Sequence, residues 1–199
     1  MSSEAVKDFQ RTHVDHLGKA LKVDGIRGPR TEWAEDFETL CAARRTIIEE
    51  AQTYIGLTED PIGSNSDPSG FIRAWLARCF ANAGDPWCAA FASFALSAGL
   101  ATQVRQAGAQ ALGRRFPKTT QPVTGDLFWF PTGPVKGHVG LVLGVAPLDV
   151  MTLEGNCDNA VRVVRRDRAQ LNFSRTVDDT GGTCPGVVPD TPHAPTVTR

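Results

Sequence analysis

The sequence predicts an α+β protein: a run of helices, then a small antiparallel sheet, preceded by a small helical appendage. The first ground is apolar residues at helical spacing through the first half, such as Ile47, Ile48, Ala51, Tyr54 and Ile55, and then Phe91, Phe94, Ala95 and Ala98. The second is a change of period after Pro117. There Leu127–Phe130, His138–Val145, Val150–Glu154 and Val161–Val164 are short apolar or β-branched runs separated by Gly, Pro, Asn and Asp. Helical segments followed by strand segments, without alternation, are the mark of an α+β layout.

Residues 1–40 read as a separate compositional unit. Val6-Lys7-Asp8-Phe9-Gln10 opens an amphipathic helix, and Val23-Asp24-Gly25-Ile26-Arg27-Gly28-Pro29-Arg30-Thr31 marks a tight turn. Thr31 is placed to cap a second helix through Trp33, Ala34, Phe37 and Leu40. Residues 41–176 form the main domain. Its first helix stops at Gly56, residues 60–70 are rich in turn formers, and Phe71 to Ala81 is helical again. Residues 177–199, rich in Gly, Pro, Thr and Asp, read as an extended tail.

Bulk properties exclude several functions. The formal net charge is −1 and no long basic block occurs, so nucleic acid is not an expected partner. No apolar run approaches the ~18 residues of a membrane span. Met1-Ser2-Ser3-Glu4 shows neither a basic start nor an apolar stretch, so no secretory signal is read and synthesis in the cytoplasm is expected. The five cysteines (Cys41, Cys79, Cys88, Cys157, Cys184) form no CxxC pair, and His13, His16, His138 and His193 are dispersed, so no metal site is expected.

The stretch Asp85-Pro86-Trp87-Cys88-Ala89-Ala90-Phe91 is the most informative. Asp85 suits an N-cap and Pro86 the first helical position, which puts Cys88 in the first turn. Unpaired N–H groups and the positive end of the helix dipole favour thiolate there, as in a nucleophile of the papain type. A small buried core cysteine fits the same stretch. A thiolate needs a base, and the base an orienting group. His13 and His16 lie in the appendage and His193 in the tail, which leaves His138 in Gly137-His138-Val139-Gly140. The next strand ends in Glu154-Gly155-Asn156. Glu154 is placed to accept from Nδ1–H of His138, and Asn156 either to orient the ring or to donate to an oxyanion.

The series PWCAAF, GDLFWF, GHVGLVLG and LEGN resembles the CHAP family of papain-like cysteine amidohydrolases and peptidases, over about residues 45–175. The FQ pair followed by VDGIRGPRT resembles a short peptidoglycan-binding domain. The first resemblance implies a papain-like fold with Cys88 as nucleophile, His138 as general base and acid, Glu154 as the orienting residue and Asn156 in support. It also implies acyl transfer without metal or cofactor. Trp87 and Asp85, beside the nucleophile, are the candidate substrate-binding residues, and Asp126 is expected to hold a turn. Peptidoglycan is the implied partner, cut either at the muramic acid–alanine amide or within the stem peptide. A leaderless hydrolase of this kind is expected to reach the cell wall or periplasm as a phage lysin through a holin, or as an effector through secretion machinery with an immunity protein. A peptidase or deamidase acting on a protein, and a non-catalytic wall-binding protein, are the alternatives. Loops 60–70 and 101–122 are expected to shape the groove.

Overall fold

The computed structural model describes residues 2–178 and Gly182. Among these, six helices and six strands form the expected α+β fold. The tail expected over 177–199 lies, apart from Val177, Asp178 and Gly182, outside the described residues.

The N-terminal segment holds α1 (Ser3–Thr12) and α2 (Pro29–Glu38). Gln10 explains why the connection between them folds as it does. It is buried; its Nε2 donates to Asp24 Oδ1, to the Ile26 carbonyl and to Thr31 Oγ1. Its Oε1 accepts from the N–H groups of Asp24 and Gly25. Thr31 is therefore not the expected cap. Pro29 starts α2 at a position where its missing N–H costs nothing, Gly28 is the N-cap, and Thr31 sits inside the first turn. The segment docks on the sheet: Trp33 Nε1 donates to the Leu143 carbonyl at 2.8 Å, and Phe37 enters the main core.

Three helices build the support for Cys88. These are α3 (Ala42–Gln52), α4 (Phe71–Arg78) and α5 (Cys88–Gly99). The α5 sequence, CAAFASFALSAG, is apolar nearly all round, as a helix enclosed on every side must be. Phe91, Ala92, Ala95 and Leu96 are fully buried, with Ile47 and Ile48 of α3 and Leu76 of α4. Each large side chain among them contributes roughly 1.5–3 kcal/mol. Gly99 lets α5 approach α3 closely, since a Cβ there would lie 2.2 Å from the Ala43 carbonyl oxygen.

Residues 101–122, expected as loop, contain the short helix α6 (Ala109–Arg114). Gly108 at its N-cap and Gly113 within it hide it from a periodicity reading. Gly113 is required there because the Trp129 ring occupies the place of a Cβ, at 2.3 Å.

The sheet consists of β1 (Lys118–Thr119), β2 (Leu127–Pro131), β3 (Gly137–Val145), β4 (Asp149–Cys157), β5 (Ala160–Asp167) and β6 (Asn172–Ser174). It is antiparallel, in the order β1-β6-β2-β3-β4-β5. Leu127, Val139, Leu141 and Leu153 join the helix-side core, whereas Phe128, Val142, Val150 and Phe173 form a smaller cluster on the other face. The start of β2 is locked by a buried ion pair between Arg44 of α3 and Asp126, 2.9 Å apart, and Asp126 Oδ2 accepts from the Val123 N–H. Asp126 thus serves the turn, as the sequence suggested. No helix among the described residues is long and apolar enough to cross a membrane.

Candidate active site

Helix α5 begins at Cys88, two residues later than expected. Trp87 is the N-cap and makes no side-chain cap hydrogen bond, while Asp85 Oδ2 instead closes a turn by accepting from the Asn82 N–H at 2.8 Å. Asp85 therefore does not cap the helix. Cys88 still occupies the first helical position, where backbone N–H groups lack intrahelical partners and negative charge is favoured. It is 6 % exposed.

His138 comes from β3 and Glu154 from the neighbouring β4. Gly140, two residues along the same face from His138, lies beside Glu154; a Cβ there would meet Phe128 at 2.8 Å and Glu154 Cγ at 3.2 Å. The missing side chain leaves the space for the diagonal pair. His138 Nε2 is 2.7 Å from Glu154 Oε2. The expected Nδ1 contact is thus replaced by Nε2, which leaves Nδ1 as the ring nitrogen not engaged by Glu154. Burial of the ring opposes its positive charge. Hydrogen bonding with Cys88 and with Glu154, and then the charges of both, outweigh burial and raise the His138 pKa to about 9.

Glu154 is fully buried, which by itself would raise its pKa. The hydrogen bonds from Arg166 and His138, the His138 charge and the Thr152 hydroxyl reverse that and hold it near 2. Arg166, on β5, is bidentate: Nε donates to Oε1 and Nη2 to Oε2, each at 2.6 Å. Thr152 Oγ1 donates to Oε1, and it lies 3.1 Å from the Val164 carbonyl. Cys157 lies against the same carboxylate; burial and the Glu154 charge push its thiol up to about 11, away from reactivity.

Asn156 does not reach His138. A bulge in β4 between Glu154 and Cys157, with Asn156 at φ 56°, turns its amide toward the start of α5. With both polar atoms satisfied, its oxygen accepts from the Trp87 N–H at 3.1 Å and its nitrogen donates to Glu59 Oε1 at 3.2 Å. Of the two candidates for orienting the ring, Glu154 holds that place, and Asn156 braces the helix start.

Trp87 offers no surface to a substrate. It is 0 % exposed, and its Nε1 donates to Glu59 Oε1 at 2.8 Å. Glu59, also buried, accepts from the Asn65 N–H through Oε2 at 3.0 Å, and Asn65 Nδ2 donates to the Gly84 carbonyl. The 60–70 loop is thereby tied beside the start of α5. Sequence reading missed Glu59, Thr152 and Arg166. Arg166 has one signal, its place in the alternation of Arg162, Val164 and Arg166, but the β-branched run that marks the strand ends at Val164. Glu59 had none.

Residues 80–156 match the family model of the CHAP domain, which is consistent with a CHAP family protein. The match suggests a hydrolase of the amidase or peptidase type. No curated protein matches the chain. Cys88, His138, Glu154 and Asn156 all fall within the matched stretch, whereas Glu59 and Arg166 lie outside it.

Proposed function

We propose that this chain is a cysteine hydrolase that cleaves an amide of the peptidoglycan stem peptide, or the amide joining it to muramic acid. The observation that carries the reading is the position of His138, hydrogen-bonded with Glu154 at 2.7 Å and close enough to Cys88 at the start of α5 to interact with it electrostatically. In the reaction, the Cys88 thiolate attacks the amide carbonyl and the Cys88 backbone N–H, at the helix start, steadies the oxyanion. His138, as imidazolium, protonates the leaving amine, and the acyl group stays on sulfur as a thioester. His138 then takes a proton from water, the hydroxide adds to the thioester, and the carboxylic acid leaves as Cys88 is restored. Glu154 stabilises the imidazolium through both steps.

The N-terminal segment, residues 1–40, supports a wall substrate by its resemblance to a peptidoglycan-binding domain. A groove of about 900 Å³ between this segment and the sheet is lined by Trp33, His16, Arg30, Asp36, Asp149 and Arg165 among others. An aromatic ring with charged hydrogen-bonding groups around it suits a glycan–peptide.

The test is incubation of purified sacculi with the protein and with Cys88→Ala, followed by mass spectrometry of the released fragments. The wild type should release fragments carrying a new amine, and Cys88→Ala none. Absence of new fragments from the wild type, or identical fragments from both proteins, refutes the proposal.

A further inference from the structure

Glu154 is held more elaborately than an orienting carboxylate requires. One hydrogen bond to His138 uses Oε2, yet Arg166 binds both oxygens at 2.6 Å and Thr152 adds a third donor at Oε1. Arg166 is itself fixed. Its guanidinium lies 5.8 Å from the Phe128 ring centre and 5.3 Å from that of Phe130, within cation–π range of both. Its side chain is 26 % exposed, so it is neither a free surface cation nor a core residue.

We propose that Arg166 is a positioning residue of the hydrolase: its planar fork keeps the Glu154 carboxylate ionised and aimed, and so fixes the tautomer and plane of His138. This rests on the reading of Cys88 and His138 as the reacting pair. The chemistry of the tautomer makes the point. An ionised Glu154 only accepts, so in the neutral ring the hydrogen sits on Nε2 and Nδ1 is free to take the thiol proton. A protonated Glu154 would donate to Nε2, the hydrogen would move to Nδ1, and the neutral ring could no longer accept from Cys88. A buried carboxylate without a counter-ion drifts toward that protonated state. The titratable or charged groups around it are His138 from β3, Cys157 from β4 itself and Arg166 from β5, with Cys88 of α5 beyond the ring. Of these, Arg166 is the permanent cation. Lysine does not replace it, because an ammonium is a point donor that cannot hold both oxygens in one plane.

The experiment compares wild type, Arg166→Gln, Arg166→Lys and Arg166→Ala on soluble muropeptides across pH, with Arg162→Lys as a surface control. Arg166→Gln should lose on the order of tenfold to a hundredfold in kcat with KM little changed, the usual effect of removing a partner that orients a site group. The acid limb of the rate profile should move to higher pH in Arg166→Gln, and less so in Arg166→Lys. Added guanidinium ion should restore part of the Arg166→Ala rate and leave Arg162→Lys unaffected. A readout independent of turnover is the downfield imidazole N–H proton resonance of His138, which should survive to lower pH in wild type than in Arg166→Gln or Arg166→Lys. Wild-type kcat, acid limb and resonance in folded Arg166→Lys overturn the proposal, as does failure of guanidinium to rescue folded Arg166→Ala. If wild type and Cys88→Ala are equally inert, the hydrolase reading fails, and the His138 resonance still decides whether Arg166 positions the pair.

Discussion

Replacing Glu154 with glutamine should convert a pH-dependent contribution to stability into a constant one. The carboxyl has its ordinary value of 4.5 in the unfolded chain and lies at about 2 in the native protein, a gap worth about 3 kcal/mol. A lowered native value means that the stabilisation is fully present above about pH 4.5 and is lost as pH falls toward 2. Between about pH 5.5 and pH 3, linkage gives a loss of about 2 kcal/mol. In the Glu154 parent His138 drops out of this window: its ordinary value is 6.5 and its native one is raised, so it is protonated in both states there. The Glu154→Gln protein has no such titration. Its deficit relative to the Glu154 parent should therefore shrink by about 2 kcal/mol on going from about pH 5.5 to about pH 3. Urea unfolding followed by tryptophan fluorescence at the two pH values measures that change. A deficit that is the same at both would mean that Glu154 is not an ionised partner of Arg166 and His138, and the electrostatic account of the site would fall with it.

Two further outcomes follow from packing. Gly155→Ala places a Cβ 2.7 Å from Phe91 Cβ, so β4 must move away from α5; thermal melts should show a cost of about 1–3 kcal/mol, and unchanged stability would contradict the tight β4–α5 contact. Gln10→Ala strips five hydrogen bonds from the turn between α1 and α2. Limited proteolysis should then cut within residues 22–31 well before the rest of the chain, and cleavage indistinguishable from wild type would deny Gln10 that role.

By itself the sequence determined the layout and the candidate pair. Apolar spacing gave the order of helices and strands, because burying one face of a helix or strand requires its own period. One cysteine at a helix start and one histidine between glycines stood out as the chemistry-bearing pair, since the remaining histidines fell in other segments. Short-range signals also carried the turn at Asp126. The tertiary structure decided what depends on register and approach. Which ring nitrogen meets Glu154, and that Asn156 turns from His138 to the Trp87 N–H, follow from the β4 bulge, which nothing local announces. The start of α5 at Cys88 and the burial of Trp87 depend on Glu59, some thirty residues upstream, whose carboxylate pairs with the indole across a folded loop. Arg166 reaches Glu154 only because β5 pairs with β4 in one register. A strand's alternation says which residues share a face; which of them touch across strands is set by the pairing alone.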